Sequence, residues 1–422
     1  MNVLYQKILN KKWDLKQNTV WYMAGSLSSS TTSFLLMMFV TRILGVNEAG
    51  VFAIAYSIAQ LMLTIGWYGT RGFQVSDVRE EFDFLDYLIL KAGLSAVMII
   101  GGGIYSVILG NTGYKLWITF LYCILMVIEV FADLFSSRFQ QIDKLYISGM
   151  SYVMRNLGYC AIFGVCLLMF KELSIAFGGA IIYSIVELAL FDIPLIKETS
   201  RARRKVNLIR VNKLLRTCFP LFISSFVTTF IINIPKNAIE VSFSQAVQAY
   251  YNIIFMPSSL VNMFCMFIFV PLYTKIARTW YSGSAKEFKS IIINLVLIVF
   301  GLTVIALVGC WLLGIPVLEL VYNVNLEGYK TPFLVLIAAG CLNSLNTVLA
   351  YIFTVMRKQK FILLIYIVSL GCSQLLINPL ISMYRVIGAT LDYFIGISVI
   401  SILFFGIFVI KFTKWKEEIE KM

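Results

Sequence analysis

Long apolar runs recur along almost the whole of this 422-residue chain, and most charged residues fall between them. A helix that crosses a lipid bilayer needs about 20 consecutive apolar residues. Twelve runs reach that length, at roughly 19–43, 48–70, 86–109, 116–137, 147–170, 174–196, 214–234, 248–276, 290–314, 331–356, 360–383 and 387–410. Because the apolar residues are continuous rather than alternating, the pattern argues against a β-barrel. The sequence therefore predicts an all-α integral membrane protein with about 12 transmembrane helices.

The composition excludes several other classes of protein. Hydrophobic residues make up 59% of the chain and charged residues 14%, whereas about a quarter of an ordinary soluble protein is charged. The chain contains no histidine, which excludes histidine catalysis and most zinc or haem sites. Its eight cysteines all lie inside apolar runs, as small buried residues do. Because histidine is absent, the loops are short and no Walker A motif occurs, we predict no enzymatic activity, no metal site and no cofactor.

The distribution of basic residues predicts an orientation. A net charge of +13 would indicate nucleic acid binding in a soluble protein, but the positive-inside rule explains it in a membrane protein. If the N-terminus is cytoplasmic and successive runs cross the membrane in alternating directions, the segments between runs lie alternately outside and inside the cell. The inside segments then contain 27 Lys and Arg residues and the outside segments contain 6. This asymmetry predicts that both termini are cytoplasmic, and we expect no nucleic acid partner.

A long basic segment, from Lys197 to Arg216, separates the sixth apolar run from the seventh. It divides the membrane region into two halves of six runs, which share one orientation because six is even. Both halves open with a run rich in serine and threonine, as expected for parallel repeats. The predicted organisation is a cytoplasmic or interfacial segment 1–18, a six-helix bundle 19–196, a basic cytoplasmic linker 197–213, a second six-helix bundle 214–410 and a charged cytoplasmic tail 411–422.

Ionisable residues inside the runs of the first half occur at matching depths. Such groups are costly in hydrocarbon and usually face a partner or a cavity. Lys91 and Asp133 each lie four or five residues from the inner end of their run, and Glu129 and Arg155 each lie about eight residues from it. Glu129 and Asp133 also share a helix face, because they are four residues apart. The sequence predicts two ion pairs, Lys91 with Asp133 and Glu129 with Arg155.

Two further acids of the sixth run, Glu187 and Asp192, are candidates to join these pairs. One interpretation is that the pairs fix the packing of the helices. The other is that one acid becomes unpaired and binds a coupling ion, either a proton or sodium.

Two arginines end the first two runs, at opposite faces of the membrane. The guanidinium group matches phosphate geometry, so Arg71, with Gln74 close by, is a candidate phosphate contact at the cytoplasmic mouth. The alternative for Arg71 is an ordinary positive-inside anchor. Arg42 ends the first run on the outside, where either an ion pair with Glu48 or a contact with substrate would explain it.

The second half begins with a polar segment that contains a third group of candidate substrate contacts. Lys236 is another cation predicted on the outside, and Tyr250 and Tyr251 follow it. Tyrosine side chains can stack on sugar rings and form hydrogen bonds to them. The alternative for both tyrosines is the aromatic belt at the membrane surface.

Short motifs follow one another in a particular order: Asn18-Thr19-Val20-Trp21 before a serine-rich helix, Thr41-Arg42-Ile43-Leu44-Gly45, Gly50-Val51-Phe52, the stretch from Pro235 to Tyr251, Met256-Pro257 and Phe269-Val270-Pro271-Leu272. With these motifs, twelve runs and a central basic linker, the chain resembles the polysaccharide flippases. These are the O-antigen and capsule repeat-unit exporters of the multidrug/oligosaccharidyl-lipid/polysaccharide superfamily. The lipid II flippases of that superfamily have additional helices, which this chain lacks.

The resemblance implies two six-helix bundles around a central cavity that opens in turn to each side of a bacterial cytoplasmic membrane. It implies a cargo of undecaprenyl-pyrophosphate-linked oligosaccharide. Membrane lipids, a polymerase and other polysaccharide-assembly proteins are the implied partners. In the family pattern, cationic residues in the cavity receive the pyrophosphate or acidic sugars, and the matching positions are Arg42, Arg71 and Lys236.

The alternative within the same superfamily is a cation-coupled multidrug or metabolite antiporter. Such a protein needs an essential acid within the membrane. Glu129, Asp133 and Glu187 are the candidates in this sequence.

Overall fold

A computed structural model of the chain describes residue 9 and residues 15–77, 81–142, 144–199, 207–281, 284–356 and 358–420. Its helices form two compact units, Met1–Thr229 and Phe230–Met422. The predicted interfacial segment 1–18 falls mostly outside the described residues, as do positions 200–206 of the predicted linker. Every regular element in the described part of the chain is helical.

The first unit contains the helices that precede the linker and the beginning of the helix that follows it. These are α1 (Leu15–Leu44), α2 (Val46–Trp67), α3 (Thr70–Ser76), α4 (Phe84–Ile108), α5 (Tyr114–Gln141), α6 (Leu145–Phe170), α7 (Leu173–Glu187), a π-helical turn (Leu188–Asp192), α8 (Ile193–Thr199) and α9 (Leu208–Ser242). The last of the predicted linker residues are therefore already helical. Helix α9 continues into the second unit.

The second unit continues with long apolar helices. They are α10 (Gln245–Tyr281), α11 (Ala285–Gly309), a π-helical turn (Cys310–Gly314), α12 (Ile315–Tyr322), α13 (Lys330–Val355), α14 (Gln359–Tyr384) and α15 (Val386–Glu420). Helix α13 packs against α10 and α15, and α15 packs against α14. Buried polar contacts link these helices, such as the Ser369 hydroxyl donating to the Gly396 carbonyl at 2.8 Å.

Ten helices in the described residues are long and apolar enough to cross a membrane. Helix α9 bends by 49° at Pro220. If its two segments count as one span, the number of candidate spans in the described residues is eleven. A proline inside a helix removes a backbone hydrogen bond, which is a common cause of such a bend. The predicted all-α membrane fold is thus confirmed. The predicted eighth span, 248–276, lies within α10, where many side chains fall outside the described residues, so the count of twelve stays a prediction.

Helices α1 and α6 approach each other closely because glycine lies on both sides of the contact. A methyl group on Gly25 would lie 3.0 Å from the Gly149 carbonyl oxygen, and one on Gly149 would overlap the carbonyl of Trp21. Across the same contact, Ser28 donates a hydrogen bond to the Tyr152 carbonyl at 3.4 Å. The close approach brings Tyr22 of α1 to the same region as the polar side chains of α6.

Replacing Gly149 with alanine is expected to destabilise the protein by about 1–3 kcal/mol, because the added methyl group forces the two backbones apart. The matched control is Gly93→Ala in α4, where an added methyl group meets nothing within 4 Å. Alanine favours helix over glycine by about 1 kcal/mol, so the control should unfold at the same temperature as the wild type or higher. Thermal unfolding of the purified proteins in detergent measures both. Equal melting temperatures for the two variants would contradict the close contact.

Candidate functional site

The helix is interrupted at the end of α2, next to the residues that form the site. Trp67 is the last residue of α2, and Tyr68 and Gly69 then adopt left-handed backbone conformations with φ of 50° and 65°. Glycine is required at the second position, because a β-carbon there would lie 2.6 Å from the Leu221 side chain. Helix α3 restarts at Thr70. The break leaves the last carbonyl groups of α2 without helical partners.

Lys91 of α4 satisfies these carbonyl groups. Its amine donates to the carbonyl oxygens of Gly66 at 3.1 Å and Trp67 at 2.9 Å. A helix C-terminus carries a partial negative charge, which favours a cation at this place. The Lys91 side chain is fully buried, and its amine also lies 3.5 Å from Asp133 Oδ2. The predicted pair of Lys91 with Asp133 is therefore present in the structure, and the lysine holds the broken end of α2 as well.

Asp133 is shared by two cations. Its Oδ1 accepts a hydrogen bond from Arg71 Nη1 at 3.0 Å, while its Oδ2 faces Lys91. We call Arg71, Lys91 and Asp133 the Arg71 cluster. Two cations and one carboxylate leave one net positive charge in this cluster. The contact between Arg71 and Asp133 was absent from the sequence-based prediction.

The guanidinium of Arg71 has four neutral partners besides the carboxylate. It donates to the hydroxyls of Tyr152 at 3.1 Å, Ser136 at 3.3 Å and Tyr22 at 3.4 Å, and to the side-chain oxygen of Gln140 at 3.2 Å. A guanidinium can only donate, so each hydroxyl accepts here and keeps its own hydrogen for another acceptor. The Arg71 side chain stays 28% exposed, which leaves it accessible to a ligand.

A second cluster surrounds Arg155 of α6. Its Nε and Nη2 donate to the two oxygens of Glu129 at 2.9 and 3.0 Å, a bidentate pair. Its Nη1 donates to Ser151 Oγ at 3.1 Å and lies 3.9 Å from Glu187 and 3.8 Å from Asp192. The Ser151 hydroxyl donates to Asp192 at 2.9 Å. We call Arg155, Glu129, Glu187 and Asp192 the Arg155 cluster.

A π-helical turn, Leu188–Asp192, brings the last two acids together. In a regular α-helix with 3.6 residues per turn, two residues five apart point about 140° away from each other. The wider π-helical turn has an i→i+5 hydrogen-bond pattern, which returns the fifth residue to nearly the same face. As a result Glu187 and Asp192 both reach Arg155.

The Arg155 cluster has more acids than cations. One guanidinium faces three carboxylates, and both oxygens of Glu187 and one of Asp192 lack hydrogen-bond partners in the described residues. Three ionised acids would leave the cluster with two net negative charges. Such an arrangement favours uptake of a proton or a small cation. The described residues contain no group of His, Cys, Asp and Glu side chains that would hold a metal ion by itself.

Tyr152 joins the two clusters. Its hydroxyl accepts from Arg71, and the guanidinium carbon of Arg155 lies 5.0 Å from the centre of its ring. An arginine over an aromatic face is attracted by the negative charge density of the ring. One side chain of α6 therefore contacts a cation of each cluster.

A cavity of about 510 Å³ opens between the helices of the first unit. Arg71, Asp133 and Glu129 face it, together with the hydroxyls of Tyr22 and Tyr152. The full lining is Tyr22, Gly25, Ser26, Ser29, Thr64, Trp67, Gly69, Arg71, Gly72, Glu129, Asp133, Tyr152, Ser225 and Thr229. The cavity thus combines hydroxyl donors with a wall that carries a net positive cluster.

Comparison with known proteins identifies the family. Residues 15–280, more than half of the chain, match the family model described as "polysaccharide biosynthesis protein". The chain belongs to this family. No curated protein sequence matches it.

Solved structures with the same fold are transporters of the MOP superfamily and a flippase. "Lipid II flippase MurJ, inward closed conformation" superposes with a TM-score of 0.71 at 14% identity, over 95% of this chain and 90% of that one. An inward-facing multidrug resistance MATE family transporter gives a TM-score of 0.63 at 11% identity, over 98% and 99%. The Vibrio cholerae MATE transporter VcmN in the bent form gives 0.60 at 12%, over 99% and 98%. At these identities the similarity concerns the fold.

Two residues proposed from the sequence as substrate contacts in the first half are not among the residues that line the cavity. Arg42 is exposed near the end of α1, and 20 residues of helix separate it from Tyr22, a distance of about 30 Å. Glu48, its expected partner, accepts a hydrogen bond from the Tyr114 hydroxyl at 3.0 Å. Gln74 is buried on α3 and is not among the residues that line the cavity.

The remaining three candidates belong to the second unit. Lys236 is buried, with its amine 4.3 Å from the centre of the Phe255 ring. Tyr251 is fully buried, and its ring lies 6.1 Å from that of Phe255. Tyr250 packs edge-on against Tyr329, with the ring centres 5.4 Å apart. The lysine contact is a cation–π contact and the two tyrosine contacts are aromatic packing. A role in substrate binding stays a prediction.

Exchanging the charges of one pair tests the Arg155 cluster. Glu129→Arg combined with Arg155→Glu is expected to restore membrane abundance better than either reversal alone, because an opposite pair is kept. Recovery should be incomplete, since the new acid at position 155 lies beside Glu187 and Asp192. Fluorescence-detected size-exclusion chromatography of tagged protein measures the abundance of each variant.

The exposed pair of Lys213 with Glu81, whose side chains are 64% and 58% exposed, provides the control. Reversing either charge there should change abundance little, because exposed pairs contribute at most about 1 kcal/mol. If the double reversal at positions 129 and 155 recovers nothing over the singles, direct pairing does not explain the cluster.

Proposed function

We propose that this protein is a flippase that carries lipid-linked oligosaccharide repeat units across a membrane by alternating access. The proposed cargo is an undecaprenyl-pyrophosphate-linked oligosaccharide for a surface polysaccharide such as O-antigen or capsule. The proposal rests on the family match and on one observation, the net positive Arg71 cluster in a hydroxyl-lined cavity.

The cavity chemistry fits such a cargo. Pyrophosphate and sugars cannot enter hydrocarbon without losing their hydrogen bonds to water. The cavity offers replacement donors from Arg71, Tyr22 and Tyr152, while the polyprenyl chain stays in the lipid. Membrane lipids surround the protein in this proposal, and a polymerase and other polysaccharide-assembly proteins act downstream. The membrane potential supplies about 2.3 kcal/mol per charge per 100 mV as one source of energy.

Deletion of the gene, followed by mass spectrometry of polyprenyl-pyrophosphate-linked glycans, tests the proposal. The expected result is accumulation of a complete repeat unit on the cytoplasmic face together with loss of surface polysaccharide. Re-expression of the wild-type chain should reverse both effects. A normal surface polymer without build-up of lipid-linked glycan would contradict the flippase proposal.

The second candidate function is a cation-coupled multidrug or metabolite antiporter. The excess of acids over cations in the Arg155 cluster favours it, since an unpaired acid can bind a coupling proton or sodium ion. The test neutralises the candidate acids together, as Glu129→Gln, Asp133→Asn and Glu187→Gln. Intact export by this triple variant would reject the antiporter.

We further propose that both termini are cytoplasmic in a bacterial inner membrane, because this orientation places most basic residues inside. In a variant without the native cysteines, Thr112→Cys is expected to react with an impermeant maleimide from outside. Val206→Cys should react only after the membrane is opened. Labelling in the reverse pattern would overturn the orientation.

A further inference from the structure

The Asp133 carboxylate forms ion pairs with the two cations of the Arg71 cluster before any ligand binds. Its two oxygens face Arg71 and Lys91, at 3.0 and 3.5 Å, and the residue lines the cavity. Its side chain is 7% exposed, whereas that of Arg71 is 28% exposed. An incoming phosphate oxygen and the Asp133 carboxylate are therefore acceptors for the same guanidinium.

Both cations keep other partners if Asp133 withdraws. Lys91 retains the carbonyl oxygens of Gly66 and Trp67. Arg71 retains its contacts with hydroxyl and amide oxygens. Loss of the Asp133 contact leaves neither cation without hydrogen bonds, so exchange of one anion for another does not require the site to unfold.

The neighbouring acid of the cavity wall differs in this respect. Glu129 also lines the cavity, but Arg155 holds both of its oxygens. Two more acids face the same guanidinium, so Arg155 has no spare positive charge for a ligand. In this cavity, the Arg71 cluster is therefore the place where a ligand anion can replace a carboxylate.

We propose that Asp133 is a tethered competitor for the anionic head group, which weakens pyrophosphate binding at Arg71 and so permits release. This inference rests on the proposed function, because it assumes that a pyrophosphate group enters the cavity. When the head group leaves, the carboxylate returns to the guanidinium. Without this competitor the cavity binds the anion more tightly and releases it more slowly.

The test measures the affinity of the purified full-length protein for farnesyl pyrophosphate and for inorganic pyrophosphate by titration calorimetry in lipid nanodiscs. Asp133→Asn keeps the shape and an acceptor oxygen but removes the charge. We expect it to bind farnesyl pyrophosphate about tenfold more tightly than the wild type, as expected for loss of a charged competitor. If Asp133 served only to position Arg71, the same change would weaken binding instead.

Two further variants act in other directions. Gln140→Glu adds a second carboxylate beside Arg71, since the Gln140 oxygen already accepts from it at 3.2 Å. We expect this variant to bind about tenfold more weakly, and it tests the proposal even if Asp133→Asn does not fold. Asp133→Glu keeps the competing charge and should stay closer to the wild type than Asp133→Asn does.

Glu48→Gln is the matched control for net charge. It removes the same unit of charge from the first unit, at the far end of α2, and its affinity should stay within about twofold of the wild type. Suppose that the wild type binds farnesyl pyrophosphate but Asp133→Asn binds it with equal or lower affinity. That result, or an unchanged affinity of Gln140→Glu, would reject the role of Asp133 as a competitor and leave the proposed function standing. If neither the wild type nor Asp133→Asn binds farnesyl pyrophosphate, the proposed head-group site itself is rejected. Equal binding of inorganic pyrophosphate would show that the site selects the anion and not the lipid.

Discussion

Replacing Arg155 with alanine is expected to abolish accumulation of folded protein in the membrane. The change leaves the buried Glu187 and Asp192 and the partly buried Glu129 without the cation that neutralises them. Removing one partner of a buried ion pair typically costs 3–5 kcal/mol, which approaches the whole stability of many proteins. Fluorescence-detected size-exclusion chromatography should show a small or aggregated peak.

Two comparisons separate the loss of charge from the loss of an arginine side chain. Arg216→Ala removes an exposed arginine of α9 and should leave abundance unchanged, because surface substitutions have small effects. Adding Glu129→Gln, Glu187→Gln and Asp192→Asn to Arg155→Ala removes the uncompensated acids. This combination should recover much of the lost abundance. Wild-type abundance of Arg155→Ala alone would contradict the role assigned to the cluster.

Replacing Arg71 with alanine is expected to have the opposite profile, with normal abundance and export reduced by about 10- to 100-fold. Lys91 still compensates Asp133 in this variant, so no buried charge is left unpaired. A hydrogen bond to a charged group is worth about 1.5–3 kcal/mol, and each 1.4 kcal/mol corresponds to about a factor of ten. Complementation of the deletion strain, scored by surface polysaccharide, measures the loss.

The conservative variant Arg71→Lys distinguishes charge from geometry. Lysine keeps the positive charge but lacks the planar fork that contacts several oxygens at once, so export should be partial. Membrane abundance of all variants is measured in parallel. Normal export by Arg71→Ala would mean that Arg71 serves only the topology of the chain.

The pairing of charges in the first unit could be predicted from the sequence because it depends on depth alone. Counting residues from the inner ends of straight helices places Lys91 level with Asp133 and Glu129 level with Arg155, and the structure brings each pair together. Ser136 and Gln140 could also have been found, since they lie three and seven residues after Asp133 on the same face of α5.

The partners of Arg71 could not be predicted in this way. Its position depends on the left-handed residues Tyr68 and Gly69, which separate the end of α2 at Trp67 from the start of α3 at Thr70. A count that assumes a straight helix places Arg71 at the membrane mouth, and the break instead directs it toward Asp133. Likewise, nothing in the sequence announces the π-helical turn that carries Asp192 toward Arg155.

The contacts of Tyr152 with both guanidinium groups have a consequence for genetics. A residue whose hydroxyl contacts Arg71 and whose ring contacts Arg155 makes the two clusters parts of one connected network. Substitutions in connected groups do not add independently. Epistasis should therefore extend from Glu187 at one end of the network to Lys91 at the other, and homologous sequences should change these positions in concert. Because Tyr152 contacts both clusters, we expect the covariation to centre on this neutral side chain rather than on any of the charged residues.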